Sequence, residues 1–196
     1  MHFAPMGYVD GRNFHDIRKH SEMLEKVEKE IRDSKEKCIV HLKDKYGAVP
    51  VWAMVEVVSF GGIARTYRNM HDHDKSSVAR RYAFHPDILS SYIQHISVVR
   101  NLCAHHARLW DRAFHGMRPP RNWPNVQWST IDTRRLFFTL LLVHRMTRHI
   151  PKACFDRDTW KRDLIALLKD FQTLPHCNAH KIMGIPSNGF DDAWWV

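Results

Sequence analysis

From Pro86 to Cys103 apolar side chains return at spacings of three and four: Ile88, Leu89, Tyr92, Ile93, Ile96, Val99, Leu102 and Cys103. That rhythm fits a helix with one buried stripe, because a strand would bury every second residue instead. Pro86 suits the first helical turn, where its missing N–H would have had no partner. Elsewhere no stretch alternates between apolar and polar residues with turn signals at its ends. There is also no glycine-rich phosphate loop and no repeat of fixed period. The expected fold class is therefore all-α, a bundle of about five or six helices, with residues 1–196 forming a single domain.

The remaining segments fill out that bundle. Residues 1–14 carry Pro5, Gly7 and Gly11 and read as an irregular segment leaning on the core. A long amphipathic helix is predicted over His15–Tyr46, with Glu22/Lys26 and Glu25/Lys29 as pairs on its wet face and Gly47 as its stop. Its basic residues suit either an RNA-tracking flank or an ordinary solvated face. A second helix is predicted over Val51–Met70, with Trp52, Val55, Val58, Ile63 and Tyr67 inward, and with Gly61-Gly62 either kinking it or admitting a close neighbour. A short helix over Ser76–Phe84, one over Thr130–Ile150 and one over Asp158–Leu174 complete the set. The terminal Trp194-Trp195 pair should dock on the core or on a partner.

Chemistry concentrates at the end of the Pro86 helix, in Arg100-Asn101-Leu102-Cys103-Ala104-His105-His106-Ala107-Arg108-Leu109-Trp110. At about 100° per residue Asn101 and His105 share a face, and Arg100 lies roughly 140° around from His105. An imidazole exchanges a proton near neutral pH, and a guanidinium offers a planar fork suited to phosphate. Together they are the parts with which a ribose 2′-hydroxyl can be made to attack its own phosphodiester without a metal. The same residues also admit a structural account, in which the histidines are hydrogen-bonded in place and Arg100 pairs with Asp87 or Asp111.

The string resembles the signature of the Abi-like family of bacterial abortive-infection proteins, which commonly reads RN-x-CAHH-x-RLWNR. Trp52, Glu56, Ser59, Phe60 and Gly61 resemble the family's W-x3-E-x2-SFG element, and Met183-Gly184-Ile185-Pro186 resembles its terminal MGFP. Two departures are visible. Asp111 stands where the family commonly has Asn, and members usually carry further residues ahead of the point where this chain starts. The chain thus reads as the later part of such a protein or as a short form.

The family sits within the wider HEPN class, whose R-x4-6-H motif marks metal-independent ribonucleases. The resemblance therefore implies an HEPN-like Abi domain acting as an endoribonuclease toxin in abortive infection, with Arg100 and His105 as the catalytic pair, Asn101 beside them, and no cofactor. It also implies a homodimer that brings two motifs together, and restraint by a regulatory RNA or protein antitoxin. His106 and Arg108 belong to the family string as possible support. The alternative is a module that grips a regulatory RNA without cutting it.

Several outlying residues suit the same chemistry. Glu56 lies in an apolar turn, where a buried carboxylate needs a partner; it would pair structurally or orient Arg100 or His105. Arg80 and Arg81 suit phosphate contacts or a plain surface pair. The segment from Asp111 to Trp128 holds three prolines and cannot be one helix. Its Arg112, Arg118 and Arg121, with Trp123 or Trp128 as a stacking surface, suit either a single-stranded RNA seat or a loop tucked over the core. His71-Asp72-His73-Asp74 and Cys177-x2-His180 invite a metal reading, but a solvated loop and a lone half-site are the expectation, and no metal site is predicted.

A formal net charge of +9 favours an anionic partner such as RNA. Neither a membrane span nor a signal pattern is visible, and Cys38, Cys103, Cys154 and Cys177 form no CxxC pair, so a cytoplasmic protein with reduced thiols is expected.

Overall fold

The structure, a computed structural model, describes residues 4–120, 128–174 and 178–195. Among the described residues there are nine α-helices and no β-strand, so the all-α expectation holds. They are α1 (Ile17–Asp33), α2 (Lys37–Tyr46), α3 (Val51–Val57), α4 (Phe60–Asn69), α5 (Asp72–Arg81), α6 (Pro86–Ala104), α7 (Leu136–Met146), α8 (Arg157–Gln172) and α9 (Ala179–Met183). The chain divides into two compact units, Met1–Arg81 with His85–Ser97, and Tyr82–Phe84 with Val98–Val196. Helix α6 begins in the first and ends in the second.

In the first unit, the expected long helix over His15–Tyr46 is two helices. Between Ile31 and Cys38 no apolar residue occurs, so nothing holds a buried stripe there. The chain turns at Ser34, and the Lys43 ammonium approaches the carbonyls of Ile31 and Arg32, at 3.5 and 3.3 Å, that the turn leaves without helical partners. Helix α2 ends as expected, on Gly47 at φ 65°. Glu22/Lys26 and Glu25/Lys29 form no ion pair among the described residues.

The expected helix over Val51–Met70 also breaks, at Val58, where ψ is 135°. Ser59 then caps α4 by accepting the Gly62 amide, and its own amide donates to Glu30 at 2.7 Å. That break rotates the short α3, so Trp52, expected inside, is 60% exposed, and Val55 is exposed as well. The Gly61-Gly62 pair serves close approach. A Cβ on Gly62 would meet Val58 at 2.6 Å, and one on Gly61 would lie 3.4 Å from the Ser97 hydroxyl of α6. Met23, Val27 and Ile31 of α1, Ile39 of α2, and Ala53 and Met54 of α3 make the core of this unit, with Tyr8 and Phe14 from the irregular opening segment packed into it.

The solvated loop expected over His71-Asp72-His73-Asp74 is instead the first turn of α5 from Asp72 on, with His71 just ahead of it. Two aspartates in a first turn favour a helix, because they face its partial positive charge. The helix expected over Ser76–Phe84 thus starts at Asp72 and ends at Arg81.

The second unit is built on α7, whose Phe137, Phe138, Leu141 and Leu142 are fully buried. The helix expected over Thr130–Ile150 is confined to its central part, followed by a short turn of 3-10 helix over Thr147–His149. Trp194 and Trp195 dock on this core: the Trp195 ring meets Phe137 at 5.8 Å and His144 at 5.5 Å, and its indole N–H donates to the Gly189 carbonyl. Helix α9 was not foreseen. Gly184 ends it at φ 72°, where a Cβ would collide with Arg135, which accounts for the glycine of Met183-Gly184-Ile185-Pro186.

Candidate functional site at the end of helix α6

Helix α6 delivers Arg100 and Asn101 in its last turns and His105 just past its end. The His105 amide still donates to the Asn101 carbonyl at 3.0 Å, so the helical course reaches His105. Two further bonds close the helix: His106 N–H to Cys103 O at 3.0 Å and Ala107 N–H to Leu102 O at 2.8 Å. This pairing is a Schellman C-cap, and it puts His106 at the left-handed position, φ 52°, where glycine is the usual occupant. The chain then turns again at Asp111, φ 53°.

The side chains follow from that backbone. Arg100 donates through Nη1 to the Asn101 Oδ1 at 3.2 Å. The structural alternative for Arg100 is not what forms, since Asp87 lies 3.6 Å from His85 and Asp111 binds Arg135 at 3.1 Å. Arg100, Asn101, His105, His106 and Arg108 are all exposed. Val98, Asn101 and His105, at spacings of three and four, form one solvent-facing strip, and Val98 within it is 45% exposed. What this turn presents is a guanidinium steadied by an amide, followed along the chain by two exposed imidazoles.

The outlying residues are distributed more widely. Glu56 is exposed on α3 and makes no ion pair with a described residue, so its expected burial in an apolar turn is not what occurs; rotation of α3 carries it outward. Arg80 and Arg81 are exposed in the last turn of α5, and Arg80 donates to Ser77 at 3.3 Å. Arg112 is exposed and donates to the Arg108 carbonyl at 2.9 Å. Arg118 is exposed on the loop that follows. That loop is anchored: the Phe114 amide donates to Arg134 O at 2.8 Å, and the Phe114 and Met117 side chains are buried. Its described part is therefore tucked over the core through Phe114 and Met117, while Arg112 and Arg118 are exposed. Arg121 and Trp123 lie outside the described residues, as does Cys177 of the half-site, and nothing is described of the Trp128 side chain.

No group of three or more metal-ligating side chains converges among the described residues. His180 is engaged at both ring nitrogens, by Gln172 at 2.7 Å and by the Ile185 carbonyl at 3.1 Å. His71 meets the Arg12 carbonyl at 2.9 Å, and Asp72 pairs with Lys75. A basic seam on the first unit, with Arg65 and Arg68, is signalled in the sequence only by the spacing of those two arginines on one face of α4.

Comparison with known proteins adds one match. The family model described as Abi-like protein matches residues 1–111, more than half of the chain and the whole of Arg100–Asp111. No curated protein and no solved structure was found to match. Met183-Gly184-Ile185-Pro186 lies beyond the matched span.

Proposed function

The chain belongs to the Abi-like protein family, and on that premise we propose that it is a metal-independent endoribonuclease of HEPN type, used as a toxin. Membership of the family points to abortive infection and defence against phage. The observation that carries the finer reading is the pairing of Arg100 with Asn101 one turn before His105, all open to solvent at the end of α6.

In the proposed reaction the 2′-oxygen of a ribose forms a bond to the adjacent phosphorus while the bond to the 5′-oxygen breaks. His105 takes the proton of the 2′-hydroxyl or gives one to the leaving 5′-oxygen. Arg100 sets its donors on the non-bridging oxygens, where charge builds in the transition state. Asn101 holds the guanidinium by accepting from it. The products are a 2′,3′-cyclic phosphate and a 5′-hydroxyl.

One imidazole performs one of the two proton transfers at a time, and the exposed turn by itself does not exclude water. Both needs are met if two copies of the chain bring their α6 ends together, so the active form is proposed as a homodimer with Arg100, Asn101 and His105 contributed twice. His106, Arg108 and the loop arginines Arg112 and Arg118 would then supply positive charge along the RNA. The net charge of +9 supports that partner. No helix among the described residues is long and apolar enough to cross a membrane.

The test is cleavage of labelled RNA in EDTA by the purified protein beside His105→Ala, with dimerisation measured on both. Cleavage that leaves cyclic phosphate ends and disappears in the variant supports the reading. A well-folded dimer that binds RNA and leaves it intact would instead mean a binding module.

A further inference from the structure

The first unit holds a cavity of about 400 Å³ along the seam between α1 and α4, closed at one end by the first turn of α5. The two helices run antiparallel there, since Asp16 meets Asn69, Met23 meets Thr66 and Glu30 meets Ser59. Lys19 and Lys26, seven residues apart on α1, therefore face Arg65 and Arg68, three apart on α4. Met23, 5% exposed, gives the cavity an apolar floor.

Charge decides what such a space can hold. Its lining carries five Lys or Arg side chains and three carboxylates, Asp16, Glu22 and Asp72. Two of the carboxylates are already committed. Asp16 accepts from the amides of Arg18 and Lys19 and pairs with the Lys19 ammonium at 3.3 Å. Asp72 pairs with Lys75 at 2.8 Å. Both carboxyls are held below the usual range, Asp16 chiefly by the Lys19 amide and Asp72 chiefly by Lys75. Once those pairs cancel, Lys26, Arg65 and Arg68 stand against Glu22 alone, and none of these four forms an ion pair among the described residues. The seam thus keeps two positive charges in excess. A phosphomonoester carries about −1.5 to −2 near neutral pH, whereas a backbone diester or a carboxylate carries only one charge. Guanidinium groups suit its oxygens. A cavity of this size also falls within the range used for small organic ligands, roughly 300–1,000 Å³.

We propose that the α1–α4 seam binds a phosphomonoester of nucleotide size, with its phosphate on Arg65 and Arg68 and its organic part over Met23. Two sources share that chemistry, a free nucleoside monophosphate and the phosphorylated end of an RNA. The site lies in the first unit and does not depend on RNA cleavage at Arg100 and His105.

The experiment is a calorimetric titration of the full chain, carrying His105→Ala so that RNA added to it persists. Four probes are compared: adenosine 5′-monophosphate, adenosine, a 5′-phosphorylated RNA pentamer and its 5′-hydroxyl twin. The expected result is a preference of about tenfold or more for the phosphorylated member of at least one pair, and a loss of similar size in the Arg65→Gln/Arg68→Gln variant. Preference within the nucleotide pair alone assigns the site to a free nucleotide, and preference within the RNA pair assigns it to an RNA end. Equal binding of both members of each pair overturns the proposal, as does parent-like binding by the double variant. If the double variant melts below the parent, Lys26→Gln on the opposite helix decides in its place: the same loss supports the site and unchanged binding overturns it. Cleavage plays no part in the readout, so failure here leaves the ribonuclease reading where it stands.

Discussion

The Ala107 amide donates to the Leu102 carbonyl at 2.8 Å and so locks His106, between them, at φ 52°. A side chain in the left-handed region is opposed by its own Cβ, at a cost of roughly 1–2 kcal/mol that glycine escapes. Part of that gain is offset by the greater freedom of glycine in the unfolded chain. His106→Gly is therefore expected to raise stability by about 0.5–1 kcal/mol, read as the midpoint of a urea melt. A lower midpoint would show that the imidazole makes a stabilising contact in solution.

Arg100 is exposed and its bond is to the neighbouring Asn101, so its removal should leave the fold almost untouched, within about 0.5 kcal/mol. Loss of a cation set on developing charge should lower cleavage by about 10²–10³. Thermal melting and initial cleavage rates of Arg100→Ala, together with relief of growth inhibition, check both halves. Retained cleavage would remove Arg100 from the mechanism.

Asp111 sits at φ 53° and binds Arg135 at 3.1 Å. Asparagine and aspartate tolerate that backbone better than other residues with a side chain, which suits Asp111 to the position. Asp111 is exposed, and Arg135, half-buried, also lies 3.8 Å from Asp132, so the ion pair is weak. Asp111→Asn should thus change stability by no more than about 0.5 kcal/mol, whereas Asp111→Ala should cost about 1 kcal/mol. Parallel denaturation of the two variants tests the ordering, and equal losses would mean that the ion pair, not the backbone, governs the position.

His144 is 2% exposed, stacked on Trp160 at 5.9 Å and edged by Trp195. Its Nε2 has no hydrogen-bond partner among the described residues. Burial, with Arg157 and Lys161 nearby, pushes its pKa down from 6.5 to about 4. Between those values the unfolded chain holds a proton that the folded chain does not. The stabilisation is therefore fully present above pH 6.5 and is lost as pH falls toward 4, by up to about 3 kcal/mol. His144→Phe should flatten stability against pH in this window, as followed by urea melts at pH 7 and pH 5. An unchanged slope would place the acid sensitivity in other groups.

The helix that carries the candidate site is legible in the sequence. The stripe from Ile88 to Cys103 predicts a helix that starts at Pro86, and α6 does so; its end then carries Arg100 and His105 because their chain positions require it. Local rules were less successful where tertiary packing chose between equal local options. Trp52 falls in a plausible helical stripe and Glu56 in an apolar turn, yet α3 breaks at Val58 and both are exposed. The His71–Asp74 stretch looked like a polar turn because its composition hides the preference of acidic residues for a helix start.

The sequence by itself determined the helical class, the central helix and the identity of the groups at its end, since periodicity, proline and glycine act within a few residues of the chain. Only the tertiary structure decided which faces are buried and that Lys26, Arg65 and Arg68 line one seam, with no ion pair to any of them among the described residues. Those outcomes depend on pairings such as Glu30 with Ser59 and Asp16 with Asn69, 29 and 53 residues apart in the chain. Local spacing does not specify contacts at such separations; packing of complete helices does.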